Sequence, residues 1–142
     1  MLLHREGTFL VAAVSVAAAT TLRSNLVGGT GFINAKMIDA TSLETIAVTV
    51  EATAAAAPVT GSIFVDFVVA CQSEDPLFDT ANNASQIFRT VELVMSTNAT
   101  ERMSVVITIE GFAFIGIGRL RNTDAARAAT VQVYWAKKVR FT

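Results

Sequence analysis

Strict alternation of apolar and polar residues is the feature that most limits what this chain can become. In Glu44-Thr-Ile-Ala-Val-Thr-Val-Glu51, Ile46, Val48 and Val50 fall on one side, and Thr45, Thr49 and Glu51 on the other. A period of two puts successive side chains on opposite faces of an extended strand, so such a segment covers a core with one face only. The wider sequence agrees. Valine, isoleucine and threonine supply 43 of the 142 residues, against 19 for leucine, glutamate and lysine. β-branched side chains lose rotamer freedom in a helix and pack well on a pleated surface, so the balance favours an all-β fold.

Strands are predicted near 8–21, 31–38, 44–53, 61–71, 86–96, 103–118 and 129–140. The breaks carry turn chemistry: Gly28-Gly29-Thr30-Gly31, the alanine run that ends at Pro58, the polar stretch from Ser73 to Asn83, Asn98 to Arg102, and Asn122 to Arg127. Regular strands without an intervening helical pattern predict a sandwich or barrel. A jelly-roll-like β-sandwich is the first expectation, and an immunoglobulin-like sandwich the alternative. The chain reads as one domain over 1–142, with an extended N-terminal arm or strand and residues 1–7 as the arm. In Gly111-Phe-Ala-Phe-Ile-Gly-Ile-Gly118 both faces are apolar, which predicts a central strand covered on both sides. Its glycines predict a bend or bulge.

Phe9 to Ala19 has the apolar run and small residues of a secretory signal. It is too short to span a membrane as a helix, which needs about 20 residues. It is read instead as strand or arm, with Phe9 and Val11 on one side.

The polar inventory is thin. There is a single histidine, His4, and a single cysteine, Cys71. Nucleophilic catalysis by serine or cysteine usually needs a histidine base held by a third group, and His4 lies in the arm. Cys71 follows an apolar run and reads as a buried structural thiol. The Gly28–Gly31 loop lacks the lysine and helix of a phosphate cradle. Glu74, Asp75 and Asp79 have no calcium-loop spacing. Asn83-Ala-Ser85 and Asn98-Ala-Thr100 match glycosylation sequons, which carry little weight without a secretory signal. Paired carboxylates, Asp66 with Glu92 or Glu110, are the one combination compatible with glycoside chemistry. Each sits in a predicted strand, where pairing with arginine or exposure to solvent is expected. The sequence therefore points away from an enzyme and implies no cofactor and no metal.

What remains is surface. Only 16% of residues are charged, well under the roughly 25% of ordinary soluble domains, so part of the surface is expected to lie against other subunits. The net charge of −1 gives no general attraction to nucleic acid or anionic membranes. Six basic residues, Arg119, Arg121, Arg127, Lys137, Lys138 and Arg140, lie between 119 and 142 beside one acid, Asp124. They read first as solvated strand-edge charges that discourage unwanted pairing. The functional alternative is a docking face for an acidic partner. Tyr134 and Trp135 take opposite faces of the last strand, so one faces the core and the other is a subunit contact or a sugar platform. The candidate interface is therefore Phe9, Val11, Arg119, Arg121, Tyr134, Trp135, Lys137, Lys138 and Arg140.

A small all-β chain rich in alanine, valine and threonine, with one cysteine and no catalytic set, resembles tailed-bacteriophage virion proteins of the capsid decoration (cement) type. The resemblance implies a homo-oligomer bound to a major capsid protein, assembled in the host cytoplasm and resident in the virion. Extended terminal arms would make the contacts. Phage tail or fibre components share the pattern, and a glycan-binding β-sandwich module is the alternative of a different class.

Overall fold

Residues 2–6, 11–23, 38–40, 45–55, 61–70, 87–95, 100–109 and 114–140 are described by the structure, a computed structural model. They form ten strands: β1 (Leu2–Glu6), β2 (Val11–Val16), β3 (Thr20–Arg23), β4 (Ile38–Asp39), β5 (Thr45–Ala54), β6 (Ser62–Ala70), β7 (Arg89–Val94), β8 (Thr100–Thr108), β9 (Phe114–Asn122) and β10 (Ala129–Arg140). Every pairing is antiparallel.

One sheet runs β2-β10-β5-β8, with β1 beside the far end of β10. The other runs β3-β9-β6-β7, with β4 beside the start of β9. The pairs β2:β10, β3:β9, β5:β8 and β6:β7 are those of one long antiparallel ribbon. Folding that ribbon over brings β10 against β5 and β9 against β6. This is the jelly roll, with two Greek keys in two sheets. The immunoglobulin-like alternative is set aside. Residues 2–6 of the expected arm form β1, in line with β2 along the same edge of β10.

The core lies between the sheets, and the alternation around Glu44–Glu51 is borne out. Ile46, Val48 and Val50 are buried in one core cluster with Ile63, Val65 and Phe67 of the opposite sheet and with Val131 and Val133 of the neighbouring β10. The residues between them on β5 line the outer face.

Two expected strands are each divided. The stretch 8–21 breaks into β2 and β3, which lie in different sheets. Ala19 turns the corner with φ of 50° and donates its N–H to the Asp124 carbonyl at 2.9 Å. Residues 103–118 likewise separate into β8 and β9. The expectations for Cys71, for the Gly28–Gly31 turn, for the Glu74–Asp79 loop, for Asn83 and for Asn98 fall outside the described residues.

The β2–β3 and β9–β10 turns meet the end of β5, the start of β6 and the end of β7 at one end of the sandwich, held by a polar corner. Asn122 Nδ2 donates to the carbonyls of Val16 (3.1 Å) and Arg127 (2.9 Å). Asp124 Oδ1 accepts from the N–H groups of Ala126 and Arg127, both at 2.9 Å. Thr123 and Ser62 exchange backbone and side-chain hydrogen bonds, and the Gly61 carbonyl accepts from Met95 N–H at 3.1 Å. Asp124 Oδ2 is buried without a hydrogen bond, a local cost set against the turn that the residue organises.

Candidate functional site: a buried aspartate under two arginines

β9 is central to its sheet, with β3 and β4 on one side and β6 on the other. Arg119 and Arg121 are therefore not strand-edge charges, contrary to the first reading of the basic stretch. Ile115 and Ile117 point into the core, and strict alternation would send Arg119 and Arg121 there too. A bulge prevents this. Asp66 pairs with Arg119 and Phe67 with Ile117, so Gly118 is left unmatched and the faces exchange. Leu120 then enters the core and both arginines emerge on the outer face. The predicted central strand and bulge are thus both present, and the bulge builds the site.

On that face Asp66 is fully buried. A buried carboxylate is costly unless paired and hydrogen-bonded, and this one is both. Oδ2 accepts from Arg119 Nε at 2.5 Å and Arg121 Nε at 2.9 Å, while Oδ1 accepts from Arg121 Nη2 at 3.0 Å and Thr90 Oγ1 at 2.6 Å. Four donors match the roughly four lone-pair positions of a carboxylate. Arg121 also lies over the Phe64 ring, 4.6 Å from its centroid, in a cation–π contact. Side-chain exposures of 21% for Arg119 and 30% for Arg121 leave part of each guanidinium in solvent.

Of the other glycosidase-type carboxylates, Glu92 does not join this cluster. Glu92 is exposed and accepts from Ser62 Oγ at 2.8 Å, and Glu110 lies outside the described residues. Among the described residues, no three histidine, cysteine, aspartate or glutamate side chains gather as metal ligands.

The outer face of the other sheet is rich in hydroxyls. Thr49 bonds Ser104 at 2.7 Å and Thr53 bonds Thr100 at 3.1 Å, each pair directly opposed across β5 and β8. Between them Glu51 and Arg102 form an ion pair, which includes an Arg102 Nε bond at 2.8 Å and holds the Arg102 pKa above its ordinary value. Trp135 packs against the core, and Tyr134 takes the outer face, where its hydroxyl donates to Gln132 at 2.6 Å. Of the remaining candidate residues, Lys137, Lys138 and Arg140 occupy the β10 segment paired with β1, and Val11 pairs with Val133. Their side chains, and Phe9 as a whole, are outside the described residues.

Among the described residues, one side of the sandwich ends in strands that pair along one edge only. Among the described residues β8 pairs only with β5, and β7 only with β6. Val106 on β8 and Val94 on β7 are the exposed large apolar side chains there, at 63% and 60%. The bulge that aims the arginines had a signal in the sequence, the spaced glycines before Arg119. The open edges had none.

No family model matches the chain, and no curated protein matches it. Solved structures give distant likenesses. One is the CBM22-1 xylan-binding domain of Paenibacillus barcinonensis Xyn10C, at 12% identity and TM-score 0.43, covering 75% of this chain and 65% of that one. Another is from Bacillus endospore appendages, described as disulfide-linked pili, at 13% identity and TM-score 0.35, covering 99% and 89%. Neither score supports an inference about what this chain does.

Proposed function

We propose that the chain is a non-enzymatic structural subunit that assembles with copies of itself and reinforces a larger shell, in the manner of a phage capsid decoration protein. It would be made in the host cytoplasm and act in the virion, bound to a major capsid protein. The observation that carries this reading is the open side of the sandwich. Among the described residues β8 offers nine residues of edge, Thr100–Thr108, without a proline, and its charged residues, Glu101 and Arg102, lie together near one end. Unpaired edges of that length invite strand addition by another chain, and proteins that avoid it usually place such blocking residues there. Val106 adds apolar area beside the edge.

Sedimentation of the protein at micromolar concentration is expected to show a homo-oligomer. Val106→Lys puts a charge on the exposed side chain without touching the core, so it should shift the protein to monomer with an unchanged circular dichroism spectrum. A wild-type monomer with no affinity for any shell protein would overturn the proposal.

Glycan binding is the second reading, and Tyr134 on the hydroxyl-rich face favours it, since an aromatic ring among hydrogen-bonding groups suits a sugar. Glycan-array binding that Tyr134→Ala abolishes is its expected result. Absence of binding in the wild type removes it.

A further inference from the structure

Among the described residues β8 pairs only with β5, and its side chains show that the core is not closed over along that edge. Met103 and Val105 face inward and pack against the core, yet both stay partly exposed. Their register partners on β5, Val50 and Val48, are fully buried. Val106, on the outer face, is 63% exposed. Three apolar side chains within four positions of one strand thus lack full cover.

The strand's own sequence says what fits against it. Thr100-Glu-Arg-Met-Ser-Val-Val-Ile-Thr108 is symmetric in side-chain type about Ser104 at its ends and at its centre, while both charges lie in one half. Two copies related by a two-fold axis perpendicular to the sheet pair their edge strands antiparallel, and one residue then lies opposite its own copy. With Ser104 in that place all nine residues pair, Thr100 with Thr108, Arg102 with Val106 and Met103 with Val105. An axis at Met103 or Val105 pairs only residues 100–106 or 102–108, seven in each case. One at Glu101 or Arg102 opposes like charges, which is destabilising. The Ser104 register also extends a row already present, since Thr49 bonds Ser104 at 2.7 Å.

We propose that two copies of the chain join edge to edge, β8 antiparallel to β8, with Ser104 opposite its own copy on a two-fold axis. The sheet β2-β10-β5-β8 then runs on into the second copy. Met103 and Val105 of both copies close over one another on the inner face. On the outer face each Val106 meets the aliphatic stem of an Arg102 whose head stays with Glu51. The proposal rests on the reading of the chain as a self-assembling subunit, and it names the partner and register of the edge. A second copy is favoured over a foreign strand because the uncharged half of β8 is the complement of its charged half.

The test is disulfide trapping in the full chain, oxidised with glutathione disulfide at micromolar protein. Directly opposed residues of antiparallel strands have Cα atoms about 4.5–5.5 Å apart, a span that a disulfide bridges. Ser104→Cys is expected to give a covalent dimer at least about tenfold faster than Thr49→Cys, because pairing holds its thiols at a high effective concentration. Thr49 lies one strand further in, so its two copies sit about 14 Å apart. Arg102→Cys and Val106→Cys should stay unlinked alone and link when mixed, a result that remains decisive if Ser104→Cys folds poorly. Mass spectrometry of unreduced peptides separates these bonds from any made by Cys71. Equal rates for Ser104→Cys and Thr49→Cys, or a Val106→Cys homodimer as fast as that of Ser104→Cys, would overturn the proposal. An oligomer in sedimentation without the Ser104 or mixed bonds would overturn this interface and leave self-assembly standing, whereas a monomer would overturn both.

Discussion

Arg121→Ala is expected to lower the stability of the fold by about 3 kcal/mol, which for a chain of this size corresponds to a fall in Tm of roughly 10 °C. The effect is large because the residue left behind is the one that suffers. Asp66 is fully buried, and two of its four donors come from Arg121. Removal of one partner of a buried charge pair typically costs about 3–5 kcal/mol. The low end applies here because Arg119 and Thr90 still bond the carboxylate and Arg121 is itself partly exposed. Arg121→Lys should fall between the two, since it keeps the charge but loses the two-point contact and much of the stacking on Phe64. Urea unfolding of the two variants beside Asp66→Asn and the double mutant measures the coupling. A loss below about 0.5 kcal/mol for Arg121→Ala would mean that solvent, not the arginine, supports Asp66.

Gly61→Ala is expected to cost at least about 2–3 kcal/mol by the same measurement. Gly61 has φ of +131°, a conformation that residues with a side chain rarely adopt. A Cβ there would meet Asp124 Cα and N at 2.8 Å and Asp124 Cβ at 2.9 Å. Those atoms have little freedom to retreat. The Asp124 carbonyl accepts from Ala19, its N–H donates to Asn122 Oδ1, and its Oδ1 anchors the N–H groups of Ala126 and Arg127. To make room would disturb the β2–β3 turn, the β9–β10 turn and the start of β6 together. Unfolding midpoints that match wild type would show that the corner yields more easily than its hydrogen bonds suggest.

The strands most legible in the sequence were those with one face on the core and one in water. β5 is the clearest, since Ile46, Val48 and Val50 alternate with Thr45, Ala47 and Thr49. β9 lacks that alternation because Ile115 to Gly118 are all buried, yet the two-sided burial and the glycines still indicated a central, bulged strand. The split at Ala17–Ala19 was not visible, because that corner takes alanine where glycine or proline would have marked a turn. The arginine cluster was legible as charge but not as a site. Asp66 and Arg119 are 53 positions apart, and only the strand register brings them together. Arg119 and Arg121 looked like edge charges because a single sequence does not state which strand sits in the middle of a sheet.

The ribbon topology also governs the order in which the fold can form during synthesis. The centres of both sheets, β9 and β10, are the last two strands in the chain. A nascent chain that has reached only β8 can pair β5 with β8 and β6 with β7, leaving β1 to β4 without partners. Such distant pairings must close long loops before contacts compensate, which places folding in the slow, millisecond-to-second range of all-β domains. Until β9 and β10 emerge from the ribosome, the hairpins expose apolar faces and bare edges to neighbouring chains. Yield in the cell should therefore depend on how long translation dwells before those two strands, and a truncation that removes them should leave aggregating hairpins in place of a smaller domain.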